Sequence, residues 1–160
     1  MQNKIILGTA QFSNDYGVTN KQKLTEKNIN EIIKEARNFK INMLDTAPDY
    51  KNVERKLGLH NLMNLKVITK ISLTDKNILL DIKKVENNIL SSLKNLRINK
   101  FYAILLRNPL DILENKSLLN EILQLKEKGL TEKLGFTLYN PDELDKLYNL
   151  FKPDIVQIPH

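Results

Sequence analysis

The sequence predicts an α/β fold in which about six parallel strands alternate with five helices. Short apolar segments recur along the 160 residues, and longer segments with apolar residues at helical spacing separate them. One short segment, Phe101–Leu106, is almost entirely apolar, as expected of a strand that is buried on both faces. Such alternation predicts successive βαβ units, whose strands run parallel.

The predicted strands are short apolar segments that end at a glycine or at polar residues. Adjacent β-branched residues such as Val67 and Ile68 favour this interpretation. The six segments are Lys4–Leu7, Ile41–Leu44, Lys66–Ile71, Phe101–Leu106, Leu134–Leu138 and Asp154–Ile158.

The predicted helices lie between these strands. Thr25 is the expected N-cap of the first helix, and the short second helix, Val53–Leu57, stops at Gly58. Gly129 is a plausible end of the fourth helix, and Asn140 is the expected N-cap of the fifth. The apolar faces of the longer helices comprise Ile29, Ile32, Ile33 and Ala36; Ile78, Ile82, Val85, Ile89, Leu93 and Leu96; Leu118, Leu119, Ile122, Leu123 and Leu125; and Leu144, Leu147, Tyr148 and Phe151.

Two architectures satisfy this order of elements, an open doubly wound sheet and a (β/α) barrel. A dinucleotide-binding open sheet would have G-x-G-x-x-G after its first strand, and the segment that begins at Gly8 lacks it. A complete barrel has eight strands in about 250 residues, so a barrel built from this chain would lack about two βα units.

Composition excludes several classes of function. The net charge is +6, from 25 Lys and Arg against 19 Asp and Glu, but the lysines are scattered and indicate a solvated basic surface. The sequence has no basic stripe with stacking aromatics, so no nucleic-acid partner is expected. The chain has no Cys and two His, and no metal site is expected. The sequence has no apolar run of about 20 residues, so no membrane span is expected. It has no secretory pattern either, and a cytoplasmic location is expected.

Polar residues that follow the predicted strands form the candidate site, because functional groups of parallel α/β folds gather at the carboxyl ends of strands. Asp45 and Tyr50 follow the second strand, Lys70 ends the third, and Arg107 follows the fourth. Thr137 and Gln157 lie at the ends of the fifth and sixth strands.

This combination suits proton transfer to a carbonyl oxygen. A free tyrosine, with a pKa of about 10, is a poor proton donor near neutral pH, and a nearby ammonium favours its phenolate. Asp45 could keep Lys70 charged, Tyr50 could donate the proton, and Arg107 could hydrogen-bond the same oxygen. Structural roles stay open for all four: a loop cap, a half-buried aromatic, a rim lysine and an ion-pair partner.

Six segments, in order, resemble the aldo/keto reductase superfamily. They are LGTAQF (Leu7–Phe12), LDTAPDYKNVERKLG (Leu44–Gly58), VITK (Val67–Lys70), LLRNP (Leu106–Pro109), LGFTLYNPDEL (Leu134–Leu144) and DIVQIP (Asp154–Pro159). The resemblance implies one partial domain over residues 1–160, an incomplete TIM-type (β/α) barrel that ends two βα units early. It also implies reduction of an aldehyde or ketone by NADPH.

Carried over by position, the resemblance assigns catalytic roles to Asp45, Tyr50 (the proton donor) and Lys70. The fourth catalytic position, usually His, is Arg107 here. Arginine stays charged at all accessible pH, so it can orient a carbonyl or hold an anionic substrate, and it can equally mark a weakened or lost reductase.

For the cofactor, the resemblance assigns nicotinamide contacts to the ends of three strands. They are Gly8, Thr9 and Ala10 after the first strand, and Thr137 and Gln157 after the fifth and sixth. The family's phosphate contacts follow the seventh and eighth strands, so we expect this chain to hold NADPH (NADP+) incompletely.

Two hypotheses follow. The first is an NADP(H)-dependent oxidoreductase that acts on a small carbonyl substrate. The second is a non-catalytic product, either a truncated or split reductase or an interaction module that reuses the fold. A phosphate-binding barrel enzyme is a weaker third. Open edges at the first and sixth strands predict self-association or a complementing fragment.

Overall fold

Six parallel strands form one sheet in the computed structural model, which describes residues 5–13, 24–72, 82–113 and 116–158. The strands lie side by side in chain order, so each βα unit adds one strand at the same edge. The strands are β1 (Leu7–Gly8), β2 (Met43–Asp45), β3 (Lys66–Ser72), β4 (Phe101–Arg107), β5 (Thr131–Thr137) and β6 (Ile155–Gln157). The α/β class and the incomplete TIM-type barrel are thereby confirmed.

Five α-helices connect the strands in the described part of the chain. They are α1 (Glu26–Asn38), α2 (Val53–Leu57), α3 (Ile82–Leu96), α4 (Lys116–Glu127) and α5 (Glu143–Leu150). Two short 3₁₀ helices, Ala10–Phe12 and Pro109–Ile112, follow β1 and β4. Alternation of strand and helix keeps the strands parallel, and it brings all their carboxyl ends to one rim of the sheet.

The main core lies between the sheet and its helices. Alternate residues of β4 and β5, such as Ile104, Leu106, Leu134 and Phe136, are buried against the helical layer. A smaller cluster of Ile68, Ala103 and Leu105 belongs to the other, concave face. Burial on both faces of β4 explains why its sequence is continuously apolar.

Two predicted helix boundaries are confirmed by hydrogen bonds or backbone geometry. Thr25 caps α1 through a capping box, in which its hydroxyl accepts from the Asn28 N–H at 3.2 Å and the Asn28 side chain accepts from the Thr25 N–H at 3.0 Å. Gly129 follows α4 with a φ of 72°, the left-handed conformation that favours glycine.

Other predicted boundaries are wrong by a few residues. The fifth helix begins at Glu143 rather than just after Asn140, because the Asn140 side chain accepts from the Asp142 N–H at 3.0 Å and forms a turn first. Helical spacing predicts Tyr148 on the apolar face of α5, but its side chain is 48 % exposed. The fifth strand begins at Thr131, three residues before the predicted start. Ile78, Lys4 and His160 lie outside the described residues.

Candidate active site

The carboxyl ends of β2 to β6 line a cavity of about 380 Å³ that is open to solvent. Its wall includes four residues of the predicted catalytic set and two of the predicted cofactor set. The lining residues are Asp45, Asp49, Tyr50, Lys70, Arg107, Thr137, Tyr139, Gln157 and Ile158. The fold therefore brings the polar ends of five neighbouring strands to one mouth.

An ion pair between Lys70 and Asp45 lies in the cavity wall. The Lys70 ammonium donates to the Asp45 carboxylate, and the two side chains are only 7 % and 17 % exposed. Gln157 on β6 donates from its side-chain amide to the other carboxylate oxygen at 3.3 Å. Two partners from different strands thus fix the orientation of this carboxylate.

The backbone of β2 is fixed at the same point by the end of β1. Both the backbone N–H and the hydroxyl of Thr9 donate to the backbone carbonyl of Asp45, each at 2.9 Å. Thr9 is fully buried. The Thr9 side chain therefore helps to hold the end of β1 against the end of β2.

Tyr50 lies on the turn between β2 and α2. Its backbone N–H donates to the Ala47 carbonyl at 3.1 Å, and its own carbonyl accepts from the N–H of Val53, the first residue of α2, at 2.9 Å. The half-buried ring packs against the main core and lines the cavity. Tyr50 and Lys70 consequently belong to the same mouth of the half-barrel.

A second ion pair joins Arg107, at the end of β4, to Asp49. The guanidinium Nη1 donates to Asp49 Oδ2, and Nη2 lies 3.5 Å from Oδ1. Burial of the guanidinium opposes its charge, but the Asp49 carboxylate outweighs burial, with smaller contributions from Tyr50 and Tyr139, and raises the pKa of Arg107 above its ordinary value. Arg107 is therefore permanently cationic.

The predicted cofactor residues fall into two groups. Thr137 and Gln157 line the cavity, and the Thr137 hydroxyl donates to the Gln157 side-chain oxygen at 3.4 Å. Gly8, Thr9 and Ala10 lie beside Asp45 at the end of β1 but are outside the cavity wall. Among the described residues, none beyond its chain neighbours has an atom within 4 Å of a methyl group built on Gly8.

Three residues of the cavity, Asp49, Tyr139 and Ile158, have no site role assigned from the sequence. Asp49 directly precedes Tyr50, and this position at the carboxyl end of β2 was the signal that could have identified it. Tyr139 follows β5 and is 71 % exposed.

Within residues 5–13, 24–72, 82–113 and 116–158, no group of three or more potential ligands could hold a metal. None of the helices described is both long and apolar enough to cross a membrane.

A parallel half-barrel with its polar residues at the carboxyl ends of the strands is the arrangement of (β/α)-barrel proteins. The sequence profile of the aldo/keto reductase family matches residues 4–160. The chain therefore belongs to the aldo/keto reductase family.

Solved structures with the same fold are known from several organisms. A Pseudomonas aeruginosa aldo-keto reductase superposes with a TM-score of 0.80 at 24 % identity, over 97 % of this chain and 62 % of its own. The Bacillus halodurans aldo-keto reductase in its holo form has a TM-score of 0.72 at 16 % identity, over 98 % of this chain and 53 % of its own.

A third structure, the Bombyx mori aldo-keto reductase in complex with NADP, has a TM-score of 0.73 at 21 % identity, over 98 % of this chain and 54 % of its own. At these identities the similarity establishes the fold alone. No curated protein matches the chain in sequence. The chain spans about three fifths or less of the length of these three structures.

Proposed function

We propose that this protein reduces an aldehyde or ketone with NADPH, and that Tyr50 is the proton donor. The observation that carries the proposal is the position of the buried Lys70–Asp45 ion pair in the wall of the same cavity as Tyr50. Membership of the aldo/keto reductase family supports the reaction class.

Each polar residue has a distinct task in the proposed mechanism. The positive charge of Lys70 favours negative charge on the Tyr50 oxygen and so assists its loss of a proton, while Asp45 holds the ammonium in place. Tyr50 gives its proton to the substrate oxygen, and Arg107 donates a hydrogen bond to that oxygen as its charge develops. When bound, the reduced nicotinamide supplies a hydride to the carbonyl carbon.

The residues present are compatible with the nicotinamide end of NADPH. The Thr137 hydroxyl and the Gln157 amide are polar groups in the cavity wall, suited to a carboxamide. No described residue beyond its chain neighbours lies within 4 Å of a Cβ built on Gly8, which is compatible with a cofactor contact beside β1.

The test compares Tyr50→Phe with Tyr148→Phe, a matched control on the exposed face of α5. Loss of the Tyr50 hydroxyl should slow NADPH oxidation with a panel of short aldehydes by on the order of 100- to 10,000-fold, the usual contribution of a positioned acid. Affinity for NADPH, measured by its fluorescence, should not change. Undiminished turnover by Tyr50→Phe would refute Tyr50 as the acid.

A second candidate function is a non-catalytic module that reuses the fold. One observation favours it: Arg107 stands at the position where the family usually has His. This candidate predicts that neither NADPH binding nor turnover is detectable. Saturable NADPH binding by the 160-residue chain would exclude it.

A further inference from the structure

The two cations in the cavity wall differ in how firmly they are held. Lys70 and Asp45 are both largely buried, so neither can leave its partner without losing a charge contact away from water. Arg107 is 25 % exposed, and the Asp49 side chain that holds it is 58 % exposed. An exposed ion pair contributes little to stability, so Asp49 can turn into solvent at small cost.

The Arg107–Asp49 contact also identifies the chemistry that this guanidinium accepts. Both carboxylate oxygens of Asp49 face the two terminal nitrogens of Arg107, which is the geometry of a planar carboxylate on a planar guanidinium. Asp49 therefore occupies a position at the cavity mouth that another carboxylate could take.

We propose that the substrate is a small oxo acid whose carboxylate displaces Asp49 from Arg107 and so brings its carbonyl group to Tyr50. This inference rests on the proposed reductase function, adds the substrate class, and assigns the Arg107 guanidinium to the substrate carboxylate in place of the carbonyl oxygen. Release of Asp49 leaves the cavity wall with one uncompensated positive charge, which the substrate carboxylate neutralises. The net charge of +6 on the whole chain favours approach of an anion.

The size of the cavity is compatible with a small oxo acid. A volume of about 380 Å³ is within the usual range of small-ligand sites. A carboxylate is favoured over a phosphate because Lys70, the other cation in the wall, is already paired with Asp45. One guanidinium balances the single charge of a carboxylate but only half the charge of a phosphate dianion.

The experiment measures binding by calorimetry with two probes, pyruvate and its neutral isostere pyruvamide. The wild-type chain should bind pyruvate at least about tenfold more tightly than pyruvamide, because hydrogen bonds to a charged group usually contribute about 1.5–3 kcal/mol and about 1.4 kcal/mol is a factor of ten in affinity. Arg107→Met should abolish this preference, and Lys128→Met, which removes one charge from a remote pair with Glu86, should retain it. Asp49→Asn should tighten pyruvate binding by removing the competing carboxylate.

Arg107→Lys is the control for a folding defect in Arg107→Met. It keeps the positive charge, so it should retain a weakened preference for pyruvate over pyruvamide. Equal affinity for the two probes, or a preference that survives Arg107→Met, would overturn the inference. Tighter Arg107-dependent binding of inorganic phosphate than of pyruvate would overturn the choice of carboxylate. These measurements need no turnover, so they can fail while the Tyr50→Phe result stands.

Discussion

Gln157 and Asp45 are joined by a hydrogen bond of 3.3 Å, although three strands separate β6 from β2 in the sheet. A flat sheet could not bring these side chains together, because neighbouring strands are about 4.8 Å apart. The bond therefore spans the concave face and reflects the curl of the half-barrel. It also means that the orientation of the Asp45 carboxylate depends on the last described strand.

The Lys70–Asp45 pair should be important for stability as well as for chemistry. Lys70→Met leaves the Asp45 carboxylate without its cation in a site that is only 17 % exposed. We expect the free energy of unfolding to fall by about 3 kcal/mol, as when one partner of a buried pair is removed. Urea denaturation measures this loss. The double variant Asp45→Leu with Lys70→Met should recover most of it, and a double variant as unstable as the single one would contradict this account.

Glu54 on α2 should make stability fall as pH rises. Burial raises the pKa of this carboxyl above 4.5, and Asp49 adds to the effect, while hydrogen bonds with Ser92 and Asn95 oppose it. A raised native pKa means that the folded protein holds the proton more tightly than the unfolded chain. Stability is therefore fully present below pH 4.5 and is lost as pH rises through the native pKa.

The test of this pH dependence is Glu54→Gln, which keeps a hydrogen-bonding side chain and removes the charge. The variant should have a higher urea midpoint than the wild type at neutral pH and the same midpoint below pH 4.5. A lower midpoint at neutral pH would show that the charged form stabilises the fold.

Asp154 should have the opposite effect on the pH dependence of stability from Glu54. Although partial burial opposes its charge, Lys126 and the Leu134 N–H, at 2.7 and 3.0 Å, lower the pKa of this carboxyl below 3.8. Its contribution to stability is present above pH 3.8 and is lost as pH falls through the lower native pKa. Asp154→Asn should consequently lower the urea midpoint at neutral pH, in contrast to Glu54→Gln.

How far the sequence predicts the fold depends on whether the signal is local. Apolar segments and caps such as Thr25 predict most elements, because periodicity and capping depend on near neighbours. The start of β5 was missed because Thr131 and Lys133 are polar, and they join the sheet by pairing with Phe101 and Ala103 of β4. Such pairing depends on residues far away in the chain.

The site follows the same rule. The convergence of residues at the strand ends could be predicted from the parallel order of the strands, which sends every carboxyl end to one rim. The contact between Arg107 and Asp49 could not be predicted from the sequence, because the two residues are 58 positions apart and no local pattern links them. The proposed preference for an oxo acid therefore rests on a contact that the structure shows and the sequence does not.

Gly135 should be essential for the pairing of β5 with β6. A methyl group at this position would lie 1.9 Å from the Ile155 carbonyl oxygen and 2.8 Å from its carbon, both backbone atoms that cannot rotate away. Gly135→Ala should cost at least about 1–3 kcal/mol through overpacking. Gly8→Ala, which enters open space, should change stability by less than about 0.5 kcal/mol. Equal unfolding free energies for the two variants would contradict the close packing.

The sheet edges should make the 160-residue chain associate with itself or with a complementing fragment. In the described part of the chain, β1 pairs with β2 alone and β6 with β5 alone. Apolar side chains beside these edges are exposed: Ile5 at 60 %, Val156 at 38 % and Ile158 at 60 %. Edge backbone groups and apolar side chains together favour pairing with another strand.

Sedimentation velocity over a range of protein concentrations tests this association. Val156→Lys places a charge on β6, which is how natural edge strands resist pairing, and should shift the chain toward monomer. Leu90→Lys, a control on α3 where the side chain is 45 % exposed, should leave the distribution unchanged. A wild-type chain that is monomeric at every concentration and melts cooperatively would show that the edges need no partner. Equal effects of the two substitutions would instead trace the association to general surface hydrophobicity, since only Val156 lies on an edge strand.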